Sequence, residues 1–449
     1  MNPHPANQPE DPEKREDENL SLPEDDNPFG REESAEIKYR TLEWWQCGMI
    51  MIAETISLGI LSLPSAMATL GLVPGIILII TLGLIATYTG YVIGQFKLAH
   101  PHVHSMADAG EVMAGRLGRE ILGAAQLLFL IFIMGSHILT FTVMMNTVTE
   151  HGTCSIVFGV VGAVVSFALT LPRTLRGERY RGNILAFISI LAAVLVTMIA
   201  IGIQAPGDGH VDATTHPPFY RAFLAVTNIV FAYAGHVAFF SFISEMKTPR
   251  QYPRTLYLLQ ATNTSMYTIT AVVIYRYGGV DVSSPALGSA GRLVSKVAYG
   301  VAIPTIVIAG VINGHVAVKY IYVRLFRGTD RMHQGAFLSL GSLSWIGLGF
   351  ALWTVAWVIA EAIPVFNDLL GLITALFASW FTYGLSGVFW LFLNQGRYGE
   401  SKRKMVLTGV NVLVVGIGGC LCGLGLYVSG KSIHDNPSSA SFSCANTAS

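Results

Sequence analysis

Charged residues are scarce in this sequence. Only 12% of its 449 residues are charged and 52% are hydrophobic, whereas an average soluble domain carries about 25% charged residues. The two signs balance to a net charge of zero, so no basic excess indicates a nucleic-acid partner. The shortage of charge, together with many apolar runs of about 18 residues or more, predicts an all-α polytopic membrane protein.

Cysteines and catalytic motifs are also rare. The five cysteines show no metal-ligand spacing, and the sequence has neither an H-E-x-x-H nor a G-x-S-x-G motif. We therefore expect no enzyme activity, no bound metal and no cofactor. No filter motif or amphipathic pore repeat indicates a channel. Cys154 and Cys444 fall on the same predicted side of the membrane and can form a disulfide, although a mobile C-terminal tail would leave them unpaired.

Eleven hydrophobic spans follow one another along the chain. Their predicted boundaries are 45–71, 73–97, 119–149, 155–172, 183–204, 219–246, 255–277, 296–326, 338–361, 365–394 and 405–429. Residues 1–43 and 431–449 are predicted to be disordered tails, the first without a cleavable signal peptide. Between the tails, we assign residues 44–204 to a first repeat of five spans, 205–394 to a second repeat and 395–430 to span 11.

Lys and Arg residues are distributed unevenly between the two sides of these spans. With the N-terminus in the cytoplasm, 23 basic residues fall on the cytoplasmic side and 5 on the other. Cytoplasmic loops carry an excess of Lys and Arg, so this split predicts a cytoplasmic N-terminus and an extracellular C-terminus. We expect the protein in the plasma membrane, with the vacuolar membrane as the alternative.

The first span contains a weak helix-forming stretch. Ser57, Gly59 and Ser62 lower its helix propensity, and Pro64 has no backbone N–H to donate. In lipid, an interrupted helix persists only where it faces protein or a cavity. We therefore predict a break in span 1, close to the ionisable residue Glu54.

Span 6 has a second weak stretch, in which small residues and a Gly precede a buried His. Its sequence is Phe231-Ala-Tyr-Ala-Gly-His236. Because it lies five spans after the first weak stretch, the two segments cross the membrane in opposite directions. Interrupted helices at matching positions of two inverted repeats indicate a transporter site. The alternative is that the small residues serve only close helix packing.

Two motifs carry a resemblance to a known family. One is Gly59-Ile-Leu-Ser-Leu-Pro64 followed by Gly71; the other is Glu245-Met-Lys-Thr-Pro-Arg-Gln-Tyr-Pro253 at the end of span 6. They resemble the amino acid/auxin permease family of the amino acid–polyamine–cation superfamily, and most of all its fungal neutral amino acid permeases. The resemblance covers about residues 40–430 and implies a leucine-transporter-like fold, with spans 1–5 and 6–10 as inverted repeats and span 11 added.

The resemblance also implies a substrate site and secondary transport of small amino acids driven by an ion gradient. Amides of residues 57–60 would hold the substrate carboxylate, and carbonyls of Ile56 and 231–234 would hold its ammonium. Phe231 and Tyr233 would bound a pocket for a neutral aliphatic or aromatic side chain. The expected substrate-binding residues are Ile56, Ser57, Leu58, Gly59, Ile60, Phe231, Ala232, Tyr233, Ala234 and Gly235.

Ionisable and polar groups inside the spans are candidates for ion coupling, because such groups are costly in a membrane. Glu54 is the leading proton carrier, and His236, His137 and Asn313 follow; each also has a structural alternative. Sodium-coupled members of the family often carry Asn at the position aligned with Ala53, whose side chain offers no oxygen. We therefore expect proton-coupled symport by alternating access, with sodium coupling and an amino acid sensor as alternatives.

Overall fold

Eleven helical spans make up the computed structural model, which describes residues 28–29, 38–173, 178–207, 210–327, 329, 339–435 and 441–445, with the backbone alone for 178–183. Their count and order agree with the prediction. Spans 1 to 5 are Trp44–Leu70, Leu72–Ala99, Met106–Thr149, Ser155–Thr170 and Glu178–Gln204. Span 3 is two helices joined at a kink, because the backbone of Ala114 and Gly115 is not helical. Span 6 consists of Phe219–Ala232, Ala234–Ala238 and Phe239–Glu245, and spans 7 to 9 are Tyr252–Gly278, Arg292–Phe326 and Leu340–Ala362. Span 10 runs through Phe366–Ile373, Thr374–Gly384 and Leu385–Leu393, and span 11 is Lys402–Asp435.

Two of the spans differ in character from the others. Within the described residues, nine are long and apolar enough to cross a membrane by length and composition. Span 4 has only 16 residues, which extend about 24 Å at 1.5 Å per residue. Span 7 is long but rich in polar side chains. It tolerates them because it packs against spans 1, 2 and 5 inside the protein.

Spans 1 and 6 are antiparallel, because Leu42 N before span 1 donates to Glu245 O at the end of span 6, and Thr215 N before span 6 donates to Leu70 O at the end of span 1. Span 1 packs along span 7, and the middle of span 6 packs on span 10; span 3 packs against spans 8 and 9, and span 5 against span 8. We call the surface at which span 1 begins the N-face and the opposite surface, where span 11 ends, the C-face. The middles of spans 1 and 6 are buried between these two faces.

The predicted break in span 1 is wrong for this structure, because Trp44–Leu70 is one continuous α-helix that includes Pro64. Serine hydroxyl groups bond to carbonyl groups within this stretch. Ser62 Oγ donates to Gly59 O at 3.0 Å, and Ser65 Oγ donates to Ser62 O at 3.1 Å. Neither bond replaces the N–H that Pro64 cannot donate to Ile60 O, so we attribute the continuity of the helix to its burial among the neighbouring spans.

The predicted break in span 6 is confirmed. The α-helix ends at Ala232, a 3₁₀ turn covers Ala234–Ala238, and a second α-helix begins at Phe239. Tyr233 between them has φ −104° and ψ 11°, outside the regular helical region. Gly235 lies in this turn, so the break coincides with the stretch of small residues that the sequence singles out.

The two predicted tails are more ordered than expected where the structure describes them. Phe29 and Tyr39 are buried and their rings stack at 4.8 Å. Span 11 continues to Asp435, past the predicted limit of 430. Cys444 forms a disulfide with Cys154, so the expectation that a mobile tail leaves the two cysteines unpaired is wrong for this structure. The rest of both predicted tails lies outside the described residues.

Candidate substrate site at the break in span 6

A cavity with an empty volume of about 270 Å³ lies beside the break. Its lining comes from spans 1, 3 and 6: Glu54, Thr55, Ser57, Leu58, Ile133, His137, Phe231, Ala234 and Gly235. Only about 20 Å³ of the cavity is accessible to the centre of a water-sized sphere, which is enough for about one water molecule, so the cavity has to widen before it holds an amino acid. Its walls are largely apolar, with polar groups gathered at two ends.

Glu54 forms one polar end of the cavity. Its side chain is only 6% exposed, and Thr55 Oγ1 lies 3.0 Å from Glu54 Oε2. Asn313 of span 8 interacts with the same carboxyl group. In the part of the chain that the structure describes, no ion pair includes Glu54. Hydrogen bonds alone therefore support this carboxyl group, without a basic side chain to balance a negative charge.

Ser57 and His137 form the other polar end. Ser57 Oγ lies 3.0 Å from His137 Nε2, and His137 Nδ1 lies 2.9 Å from Ile133 O. Because a carbonyl oxygen only accepts, Nδ1 carries the proton of a neutral ring and Nε2 accepts from the Ser57 hydroxyl. This end of the cavity thus joins span 1 to span 3 through a hydroxyl–imidazole pair.

Two glycines allow spans 1 and 6 to meet at the cavity. A Cβ on Gly59 would lie 2.6 Å from Ala232 Cα. A Cβ on Gly235 would lie 2.8 Å from Thr55 Oγ1 and 3.0 Å from Glu54 Oε2. Real Cβ atoms do not approach backbone as closely as at Gly59, so that contact excludes a side chain there, whereas a Cβ on Gly235 would displace the side chains of Thr55 and Glu54.

His236 and Tyr233, both expected at the site, face span 2 instead. His236 Nε2 lies 2.9 Å from Ala86 O and 3.1 Å from Thr89 Oγ1. The Tyr233 hydroxyl donates to Ile79 O at 2.8 Å. Neither residue lines the cavity, so their observed contacts are those of helix packing.

Tyr267 of span 7 is a residue that the sequence analysis missed. Its hydroxyl lies 2.8 Å from Ala232 O and 3.1 Å from Thr55 O. It therefore connects span 1 to the last residue of the first half of span 6. The available signal was a polar face on span 7, since Gln260, Asn263 and Tyr267 recur at helical spacing.

Comparison with known proteins identifies the family. A family model described as transmembrane amino acid transporter protein matches residues 40–429. The chain belongs to this family, that of the amino acid/auxin permeases. An "N amino acid transport system protein" of Neurospora crassa is 41% identical over 408 residues, which are 89% of this chain and 86% of that protein. A "transmembrane transporter" of Fusarium pseudograminearum is 31% identical over 401 residues, which are 87% and 83% of the two chains.

The fold of this amino acid transporter is also that of a solved structure. The crystal structure of MhsT in complex with L-phenylalanine matches it with a TM-score of 0.57 at 12% identity, over 88% of this chain and 100% of that one. This similarity confirms the leucine-transporter-like fold of inverted repeats with one span added.

The transporter's cavity gathers half of the expected substrate-binding residues. Those that line it are Ser57, Leu58, Phe231, Ala234 and Gly235; those that do not are Ile56, Gly59, Ile60, Ala232 and Tyr233. The amides of 57–60 belong to the continuous helix of span 1, so the expectation that they are free for a carboxylate is wrong for this conformation. Thr55 and Ile133 line the cavity and were not expected.

The family motif at the end of span 6 contributes Glu245 to a buried ion pair with Lys319 at the N-face, which we call the N-face lock. Glu245 Oε1 lies 2.5 Å from Lys319 Nζ of span 8, and the two side chains are 3% and 0% exposed. The backbone amides of Thr41 and Leu42 both donate to Glu245 O at 3.0 Å, and the Tyr39 ring lies 5.2 Å from Lys319 Nζ. This lock holds spans 6 and 8 and residues 38–43 together below the cavity.

Proposed function

We propose that this transporter is a proton-coupled symporter of neutral amino acids that works by alternating access. The observation that carries the proposal is Glu54, a buried carboxyl group in the wall of a small cavity with no basic partner among the described residues. An uncompensated carboxylate is costly in a membrane interior. A proton bound to Glu54 removes that cost while the cavity is closed to water. Release of this proton on one side of the membrane couples the proton gradient to substrate movement.

The two polar ends of the cavity suit the two charges of an amino acid. The Ser57 hydroxyl would turn from His137 Nε2, which carries no proton, and donate to the carboxylate, and Glu54 with the carbonyls of Phe231 and Ala234 would receive the ammonium. A zwitterion leaves water only where both charges find partners. This assignment replaces the amides of span 1 by side chains at the carboxylate end.

The apolar part of the cavity supports a neutral substrate. The side chains of Leu58, Ile133 and Phe231 would contact an aliphatic or aromatic group. Among the described residues that line the cavity, no basic side chain would pair with an acidic substrate, and Glu54 is the one acid available to a basic substrate.

We also propose that the N-face is cytoplasmic and that the membrane is the plasma membrane. The excess of Lys and Arg in the N-face loops supports this orientation. The lock between Glu245 and Lys319 would then close the cytoplasmic side. Substrate and proton would enter from outside, and release would require the lock to open as spans 1 and 6 move against the rest.

Sodium coupling is a second candidate, favoured by one specific observation. Asn313 Oδ1 is buried without a hydrogen-bond partner among the described residues, next to the Glu54 carboxyl group. Amide, carboxylate and backbone oxygens at mid-membrane are ligands that Na⁺ accepts. The same pair of side chains would bind Na⁺ in place of a proton.

Uptake by the purified full-length chain in liposomes tests these proposals. Labelled alanine, leucine, phenylalanine, lysine and glutamate would be supplied under a pH gradient and, separately, a sodium gradient. We expect saturable uptake of the neutral substrates, driven by the pH gradient alone. Accumulation that requires sodium would contradict proton coupling, and no saturable uptake of any amino acid would favour the amino acid sensor over the transporter.

A further inference from the structure

A buried polar stripe runs along span 7, formed by Gln260, Asn263 and Tyr267. Their spacing of three and four residues places them on one face of the helix. Asn263 is 0% exposed, and neither its Nδ2 nor its Oδ1 has a hydrogen-bond partner among the described residues. Gln260 is 5% exposed and its Oε1 is likewise unpartnered. Unsatisfied polar atoms are costly inside a membrane span, so helix packing alone does not account for the polar side chains of the stripe.

The stripe begins beside the coupling carboxyl group and runs toward the N-face. Thr255 Oγ1 donates to Trp44 O at 2.8 Å, and the Tyr267 hydroxyl reaches Thr55 O at 3.1 Å. These two bonds set spans 1 and 7 side by side in the same direction. Asn263 lies one turn before Tyr267 and hence one turn nearer the N-face than Thr55, the neighbour of Glu54.

The unpartnered atoms indicate which kind of ligand can supply their missing hydrogen bonds. The Asn263 amide needs an acceptor for its Nδ2 hydrogens and a donor for its Oδ1, and Gln260 Oε1 needs a donor. A metal cation would satisfy the oxygens but not the amide hydrogens, and an anion would do the reverse. Water does both, and buried water typically makes about three hydrogen bonds to such groups.

We propose that the stripe holds ordered water and is the route by which the proton on Glu54 leaves toward the cytoplasm. This inference rests on the proposed proton coupling. The O–H bond of the Glu54 carboxyl group breaks, the proton passes to water held by Asn263, and Glu54 remains as a carboxylate until it is protonated again from outside. Of the titratable side chains around Glu54, Tyr267 comes from span 7 and His137 from span 3.

The stripe ends before it reaches the N-face. Leu256 and Leu259, which precede Gln260 on span 7, are both 0% exposed, and Leu256 packs against Gly90 of span 2. These leucines separate the proposed water from the cytoplasm in this conformation. The proton therefore reaches the cytoplasm only when the N-face opens, which prevents a leak without substrate.

Asn263→Leu tests the route, since leucine keeps much of the side-chain volume and removes the amide. Liposomes with an internal pH dye would report proton entry during uptake, and labelled leucine would report both accumulation and exchange. We expect gradient-driven accumulation to fall about tenfold, equivalent to about 1.4 kcal/mol on the proton step, while exchange continues. Asn263→Ser, which keeps a hydroxyl and leaves room for water, should recover most of the loss.

Asn411→Leu is the matched control. Asn411 is a buried asparagine of span 11, with its Nδ2 bonded to Tyr88 and Leu407, so its variant should lose no coupling beyond any loss of folded protein. Should Asn263→Leu fail to fold, Gln260→Met provides the same test one turn away.

The results for these variants decide between the route and its alternatives. Wild-type accumulation by Asn263→Leu, or an equal loss of accumulation and exchange, would overturn the route. Glu54→Gln in the same liposomes separates this failure from that of the proposed function. If Glu54→Gln loses accumulation and Asn263→Leu keeps it, the route alone is wrong; if Glu54→Gln keeps it, the proton coupling itself is wrong.

Discussion

Gly59 of span 1 packs directly on Ala232 of span 6. A Cβ on Gly59 would lie 2.6 Å from Ala232 Cα and 2.8 Å from Ala232 Cβ. The two spans therefore meet where the first half of span 6 ends, and the Tyr267 hydroxyl bonds to Ala232 O from the side. This contact sets the separation of the two spans that carry most of the cavity wall.

Gly59→Ala should push spans 1 and 6 apart and weaken substrate binding. Extra methyl groups in a packed interior cost about 1–3 kcal/mol, so we expect KM to rise and unfolding temperature to fall. Gly416→Ala on span 11 is the control, because a Cβ there meets nothing within 4 Å. A Gly59→Ala protein with the KM of the wild type would show that this contact does not shape the site.

Ser57→Ala should impair the carboxylate end of the cavity. The substitution removes the hydroxyl bonded to His137 and, in the proposed site, one donor to the substrate. The loss of one such bond is about 1–1.5 kcal/mol, so we expect KM to rise about tenfold with a smaller change in kcat.

The control for Ser57→Ala is Ser136→Ala. Ser136 is a buried serine next to His137 whose hydroxyl donates to Phe132 O, and it does not line the cavity. Equal KM values for the two variants would refute a role for Ser57 in substrate binding.

Lys319→Met should open the N-face lock. Removing one partner of a buried ion pair leaves an uncompensated charge and costs about 3–5 kcal/mol. Cys47 near the start of span 1 is buried, with Sγ 3.9 Å from Phe242 O, and provides a native reporter. In a background without Cys420 and Cys422, we expect faster maleimide labelling of Cys47 and a lower unfolding temperature.

Lys404→Met is the comparison for the lock, since Lys404 pairs with Glu400 at a surface where the side chains are 25% and 56% exposed. Such pairs contribute about 0–1 kcal/mol, so this variant should resemble the wild type in both measurements. If Lys319→Met leaves Cys47 as protected as Lys404→Met does, the Glu245–Lys319 pair does not close the N-face.

Long-range patterns in the sequence predicted the architecture well. Apolar runs gave the eleven spans, and the small residues around Gly235 gave the break in span 6. Helix propensity failed in span 1, because it describes residues in isolation. There the neighbouring spans bury the helix, so Pro64 lies within a continuous helix.

The direction of individual side chains was harder to predict. Glu54 and His137 do reach one cavity, but His236 turns to Ala86 and Thr89 of span 2. Sequence spacing tells which residues share a helix face and not which neighbour that face meets. The sequence did not indicate Tyr267 for the same reason, since its hydroxyl bonds to carbonyl groups of two other spans.

Glu54→Gln in proteoliposomes tests the central claim most directly. Accumulation of a labelled neutral amino acid would be measured under an inward proton gradient, beside exchange in the absence of a gradient. Glutamine keeps the shape of the side chain and its contacts with Thr55 and Asn313 but carries no titratable proton. Because glutamine cannot take up and release a proton, we predict the loss of gradient-driven accumulation while exchange persists. Accumulation equal to that of the wild type would contradict the assignment of Glu54 as the coupling residue.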